Sequence, residues 1–175
     1  MSLRGSVPIQ TQMSRPFAGR PGWEAGPNHT ATGSSRNRFY ESAAAGATAL
    51  IVDDDPRNRF ALTALLKRGK MFVVTADSGP VALEILQDRV DIGIVLMDIM
   101  MPVMDGYQAM AAIRQRPRSA ELPIIAVTGK AVTGERQRCI AAGAWDFVAK
   151  PIDTVALLTA IRRWLLAAAT HRPPS

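Results

Sequence analysis

Between Ala47 and Ala168 the chain repeats one texture five times: a short run that is apolar throughout, then a longer stretch with apolar residues at helical spacing. The runs are ATALIV (47–52), MFVVTA (71–76), IGIVLM (92–97), PIIAVT (123–128) and FVA (147–149), and the helical patterns fall at 56–68, 79–88, 105–115, 133–142 and 153–168. Strands that do not alternate polar and apolar are buried on both faces, which requires a parallel sheet covered by helices on each side. Five such units are too few for a closed eightfold barrel, which takes about 250 residues. The pattern therefore predicts an α/β fold with one open, doubly wound, five-stranded parallel sheet of the flavodoxin-like kind. Helix punctuation agrees: Asp55-Pro56 offers a cap followed by Pro, Ser78 stands at the start of the second helix, and Gly69 and Gly143 follow helix ends.

The other residues do not carry this texture. Residues 1–46 are rich in Gly, Pro, Ser, Thr and Arg without hydrophobic period, so they are expected to be a disordered tail; 169–175 are expected to be a disordered end, leaving one domain at 47–168. Phe17, Trp23, Phe39 and Tyr40 are too scattered to build a core. The formal charge of +6 is shared between tail and domain without a run of like charges, so it reads as a solvated arginine-rich surface and not as a nucleic-acid footprint. One cysteine, Cys139, excludes a disulfide scaffold and a structural zinc set. No apolar run reaches the roughly eighteen residues of a membrane span, and the N-terminus lacks a secretory h-region. A cytoplasmic protein with no membrane association is expected.

Ligands of open α/β sheets bind beyond the carboxyl ends of the strands. The first strand ends in Asp53, Asp54 and Asp55, the third in Asp98, the fourth in Thr128, and the fifth runs into Lys150-Pro151. Asp53, Asp54 and Asp98 would crowd one sheet edge, where like charges raise one another's pKa unless a cation joins them. Oxygen-only donors with no His or Cys nearby select a hard divalent ion, Mg²⁺ above all. Such an ion, a lysine and a hydroxyl around an exposed carboxylate are what phosphoryl transfer onto that carboxylate requires.

The segments ALIVDDDPRNR, IVLMDIMMPVMDGYQ, PIIAVTGKA and AGAWDFVAKPID, in this order and at these spacings, resemble the receiver domain of two-component response regulators, over residues 47–168. The resemblance implies a phosphoacceptor at Asp98, a direct Mg²⁺ ligand at Asp54, and Asp53 acting mainly through metal-bound water. It implies the Met100 backbone carbonyl as a further ligand, Thr128 and Lys150 on the phosphoryl group, and a cis Lys150-Pro151 peptide. Phe147 falls at the aromatic switch position, moving with Thr128. The implied phosphodonor is a histidine kinase or a histidine phosphotransfer protein, and the implied activity is signalling and self-catalysed phosphoryl transfer, not an enzyme's turnover of substrate.

Gly129 replaces the usual alanine after Thr128, and Phe147 lacks the hydroxyl that many members carry. Asp55 reads as a helix cap. Asp105 reads likewise, with Gly106 allowing the loop to pack close to Asp98; the methionines from Met97 to Met104 read as packing. Arg136, Arg138, Trp145, Arg162, Arg163 and Trp164 lie on the last two helices and beside Phe147, a face suited to a downstream partner or a homodimer. No segment reads as a DNA-binding output domain. The chain is expected to be a stand-alone receiver or a relative of those in hybrid kinases, the latter suggested by PRNR after the acidic pair. The rival readings are a phosphorylation-independent interaction module and a small aspartate-nucleophile phosphatase, whose nucleophile would follow the first strand in a DxD pattern that DDDPRN does not match. An FMN module would need a Ser/Thr/Gly-rich first loop where three aspartates stand.

Overall fold

The computed structural model describes residues 44–129 and 134–170. Five parallel strands, β1 (Thr48–Val52), β2 (Phe72–Ala76), β3 (Ile92–Asp98), β4 (Ile124–Thr128) and β5 (Asp146–Ala149), form one sheet in the order β2-β1-β3-β4-β5. Five helices intervene: α1 (Pro56–Arg68), α2 (Gly79–Asp88), α3 (Gly106–Arg114), α4 (Glu135–Ala141) and α5 (Thr154–Thr170). The expected doubly wound α/β sheet is what the chain forms, and the strand order reverses between β1 and β3, where the ligand crevice of such a fold opens.

Strand alternation sorts the core into two layers. Leu50 and Val52 of β1, Val95 and Met97 of β3, and Ile124 and Ala126 of β4 pack toward α2, α3 and α4. Their neighbours Ala49, Ile51, Ile94, Leu96, Ile125 and Val127 pack toward α1 and α5. Both faces are covered for these three central strands, which explains their uninterrupted apolar runs. The edge strands differ: β2 is half open to solvent, and its Phe72 is exposed.

The caps follow the sequence in part. Asp55 accepts from the backbone N–H of Arg57, and Asp105 forms a capping box with Gln108. Ser78 stands at the α2 cap position, but its hydroxyl donates to Asp77 Oδ1 instead of capping the helix. Gly69 closes α1 with an ordinary φ of −76°, and the left-handed turn falls on Lys70 at +59°. Gly143 has φ +110°, and a Cβ there would meet Arg114 Cγ at 2.7 Å. Arg114 donates through Nε and Nη2 to the Gly143 carbonyl and through Nη1 to those of Ser119, Ala120 and Leu122, joining α3 to the turns that lead into β4 and β5.

Both expected tail boundaries shift. Ala44 is buried in the layer under α1 and α5, and the Gly46 N–H donates to the Lys70 carbonyl, so the packed structure begins before 47. Helix α5 continues through Ala169 and Thr170, because the AAAT stretch is helix-forming and follows directly on a packed amphipathic helix. The remaining tail positions, including Phe17, Trp23, Phe39 and Tyr40, lie outside the described residues, as does the expected α4 start at Thr133. No helix among the described residues is long and apolar enough to cross a membrane.

A Cβ on Gly106 would stand 2.3 Å from the Asp98 carbonyl oxygen and 2.8 Å from Ile99 Cα, both backbone atoms that cannot yield. Gly106→Ala is therefore expected to lower stability by about 2 kcal/mol. Gly129→Ala meets nothing within 4 Å and should leave the urea midpoint unchanged, which makes it the matched control.

Candidate functional site

Parallel pairing brings the strand ends level. Val52 faces Met97, which sets Asp53 beside Asp98; Asp98 faces Val127, and Thr128 faces Ala149, one residue short of Lys150. The carboxylates of Asp53, Asp54 and Asp98 each offer an oxygen within 4.8 Å of the others. Asp53 and Asp98 are buried, whereas Asp54 is open to solvent. Lys150 Nζ reaches into this group, 3.1 Å from Asp53 Oδ2 and 3.2 Å from Asp98 Oδ1, and the Lys150-Pro151 peptide is cis.

Burial pushes the Asp98 carboxyl above the usual carboxylate range; Lys150 opposes this and Asp53 adds to it. Burial alone would lower the Lys150 ammonium, but Asp98 and Asp53 outweigh it, so the net shift is upward and the group stays charged. Three carboxylates against one ammonium leave two negative charges in a largely desolvated pocket, which one divalent cation would cancel. The donors are all oxygen, the set that suits Mg²⁺. Asp55 is not part of this group: it points outward to Arg57, whose hydrogen bonds hold its carboxyl at about 2.

Two residues that sequence reasoning did not single out shape the acidic loop. Asn58 Nδ2 donates to Asp53 Oδ1 at 3.2 Å, and Arg59 Nη1 donates to the backbone carbonyls of Asp53 at 2.6 Å and Asp54 at 3.0 Å. The signal was the PRNR motif itself, since residues five and six beyond Asp53 lie one helical turn above the loop. The Met100 N–H lies 3.4 Å from Asp98 Oδ1, so the β3–α3 loop folds back over the carboxylate, with the Met100 side chain half exposed.

Thr128 is fully buried, and its hydroxyl donates to Glu135 Oε1 at 3.5 Å. Phe147 is partly buried against the α2–α4 layer. On the outer face, Trp145 and Trp164 pack edge to face at 5.2 Å, Trp164 Nε1 donates to Asp146 Oδ2 at 3.1 Å, and Arg163 pairs with the same carboxylate while covering the Trp164 ring. Trp164 also packs into the layer under α1 and α5. Arg163 and Trp164 are thus both tied to Asp146, although the Arg163 side chain remains about half exposed.

An acidic pocket with an inserted lysine, beyond the carboxyl ends of a doubly wound sheet, places the chain among α/β domains whose strand-end carboxylates suit a divalent cation. The comparisons make the assignment specific: a sequence model described as the response regulator receiver domain matches residues 49–162, and the chain belongs to that family. It is 38% identical over 117 residues to the signal transduction histidine-protein kinase BarA of Escherichia coli (strain K12), which covers 67% of this chain and 13% of that protein. It is 35% identical over 103 residues to the two-component response regulator ORR7 of Oryza sativa subsp. japonica, covering 59% of this chain and 49% of that one. Among solved structures, it resembles the receiver domain of sensor histidine kinase PA1611 from Pseudomonas aeruginosa PAO1, described with a magnesium ion coordinated in its active site cleft. That match has a TM-score of 0.64 at 34% identity and covers 69% of this chain and 98% of that one.

An acid whose folded pKa is raised favours the fold while it is protonated, and that contribution falls away as pH rises through the folded value. Asp98→Asn removes the buried charge and so is expected to raise Tm by about 4 °C at pH 7.5 in chelator. The gain should shrink toward nothing at pH 4, as read by thermal denaturation of both proteins across that range.

Proposed function

We propose that this protein is a phosphoacceptor receiver of a two-component phosphorelay, taking its phosphoryl group onto Asp98 from a phosphohistidine of a histidine kinase or a histidine phosphotransfer protein. The observation that carries this reading is Lys150 Nζ seated between Asp53 and Asp98, at 3.1 and 3.2 Å. In the transfer an Asp98 Oδ attacks phosphorus, the O–P bond forms as the N–P bond to the donor imidazole breaks, and the imidazole retains the electron pair. Lys150 neutralises charge on the phosphoryl oxygens, and the Thr128 hydroxyl donates to one of them. Burial raises the Asp98 carboxyl, and the pairing with Lys150 opposes that rise and favours the ionised form that attacks phosphorus.

Asp53, Asp54, Asp98 and the Met100 carbonyl would hold Mg²⁺, which supplies further charge neutralisation on the transferring group. The fit rests on the three converging oxygens and their uncancelled charge, and the magnesium described in the receiver of kinase PA1611 supports it. Downstream, Phe147 would respond to the position of Thr128, and the face of α4, β5 and α5 would meet a partner or a second copy. Its packed Trp145–Trp164 pair gives that face a fixed shape on which a small movement of Phe147 would register. Relatives include both kinases and short regulators, so the reading extends to either context.

Purified protein incubated with Mg²⁺ and a small-molecule acyl phosphate should gain one hydroxylamine-labile phosphoryl group by intact mass, and Asp98→Asn none. Failure of the wild type, where a control receiver succeeds, would make the chain a phosphorylation-independent interaction module. Separately, saturating Mg²⁺ at about a hundred times Kd should stabilise the wild type by about 2.7 kcal/mol in denaturant titration. Asp54→Asn, an exposed change that leaves the core alone, should abolish most of that gain.

A further inference from the structure

Glu135, at the start of α4, is 2% exposed, although it carries a carboxylate and lies seven residues beyond Thr128. Its Oε1 accepts a close hydrogen bond from the Tyr107 hydroxyl on α3 and a long one, at 3.5 Å, from the Thr128 hydroxyl on β4. Its Oε2 makes no hydrogen bond among the described residues and has the Arg138 guanidinium at 3.8 Å, and Arg138 in turn lies over the Tyr107 ring at 4.9 Å. A buried carboxylate with one oxygen doubly engaged and the other lacking a hydrogen bond is held for a reason other than its own solvation. Burial and the bond to Glu135 hold the Tyr107 phenol far above its ordinary range, so it remains a donor at every physiological pH.

A threonine hydroxyl has one hydrogen to give. While Thr128 donates to Glu135 Oε1, that hydrogen is unavailable to a phosphoryl oxygen on Asp98, and the two acceptors exclude each other. We propose that Glu135 is a positioning residue that holds the Thr128 hydroxyl in the resting protein and must release it when Asp98 is phosphorylated, with Tyr107 sharing the same oxygen, drawing on its acceptor strength and so setting how firmly it holds. This rests on the phosphoacceptor reading of Asp98. It adds a tie from the phosphorylation site to α3 and α4 through residues outside the acidic pocket.

The two side chains then act with opposite sign. Glu135→Gln keeps the shape and removes the charge, weakening the hold on Thr128. Tyr107→Phe leaves the acceptor strength of Oε1 to Thr128 alone and tightens the hold. With the full chain, Mg²⁺ and a small-molecule acyl phosphate, the rate of Asp98 phosphorylation by intact mass should rise about fivefold in Glu135→Gln and fall by a similar factor in Tyr107→Phe. Both effects should vanish in a Thr128→Val background, which no general loosening of the fold would achieve. Shifts of the same sign, or shifts that persist undiminished beside Thr128→Val, would overturn the proposal. If Glu135→Gln fails to fold by circular dichroism, the Tyr107→Phe and Thr128→Val pair carries the test alone, with loss of the slowing beside Val as the required result. A wild type that takes no phosphoryl group at all would refute the phosphoacceptor reading instead, a result distinct from either of these.

Discussion

A single ammonium group holds the business end of this domain together. Lys150 leaves the end of the edge strand β5 and crosses to the carboxylates that follow β1 and terminate β3, two neighbouring interior strands of the sheet. Two carboxylates this well buried are not tolerable without a counter-charge, and a lysine this enclosed is not tolerable without carboxylates. Each makes the other possible. The arrangement needs three strand ends in register to within a residue, which is what the parallel ladder and its two apolar layers provide. Precision in the core is thereby converted into precision among charges that would otherwise repel or be neutralised by proton uptake.

Around this centre the loops supply restraint. Arg59 satisfies the carbonyls of the acidic loop and Asn58 fixes one oxygen of Asp53, so the loop holds its shape through α1 and not only through the ligands it would bind. Gly106 lets the start of α3 press against the backbone of Asp98, closing the loop that carries Met100 over the carboxylate. Of the three acids only Asp54 faces solvent, which leaves one side of the group open.

Much of this was legible in the sequence because it depends on position along strands. Apolar runs without alternation marked the buried parallel strands, and whatever followed each run was bound to lie at the ligand edge; Asp53, Asp98, Thr128 and Lys150 were found that way. Side chains that act across elements left a weaker trace. Glu135 reads as an ordinary charged residue at a helix start, and only its contacts with the Thr128 and Tyr107 hydroxyls show that it is buried between them. Ser78 has the right identity for a cap, yet its hydroxyl finds Asp77 closer at hand. The structured segment extends a few residues past each expected end: Ala44 gains its order from tertiary contact, which local composition does not register, and the alanines after Leu166 prolong α5 through their own helix propensity.

The grip of Arg114 on four carbonyls lies at the end of the sheet farthest from the acidic pocket. It fastens the entries to β4 and β5 to the foot of α3, like the clamped end of a beam. The other ends of those same strands carry Thr128 and Lys150 and are held by polar contacts that can be exchanged. Restraint is thereby apportioned lengthwise: the entries to β4 and β5 share one guanidinium as a common anchor, while their exits depend on side-chain contacts between separate elements.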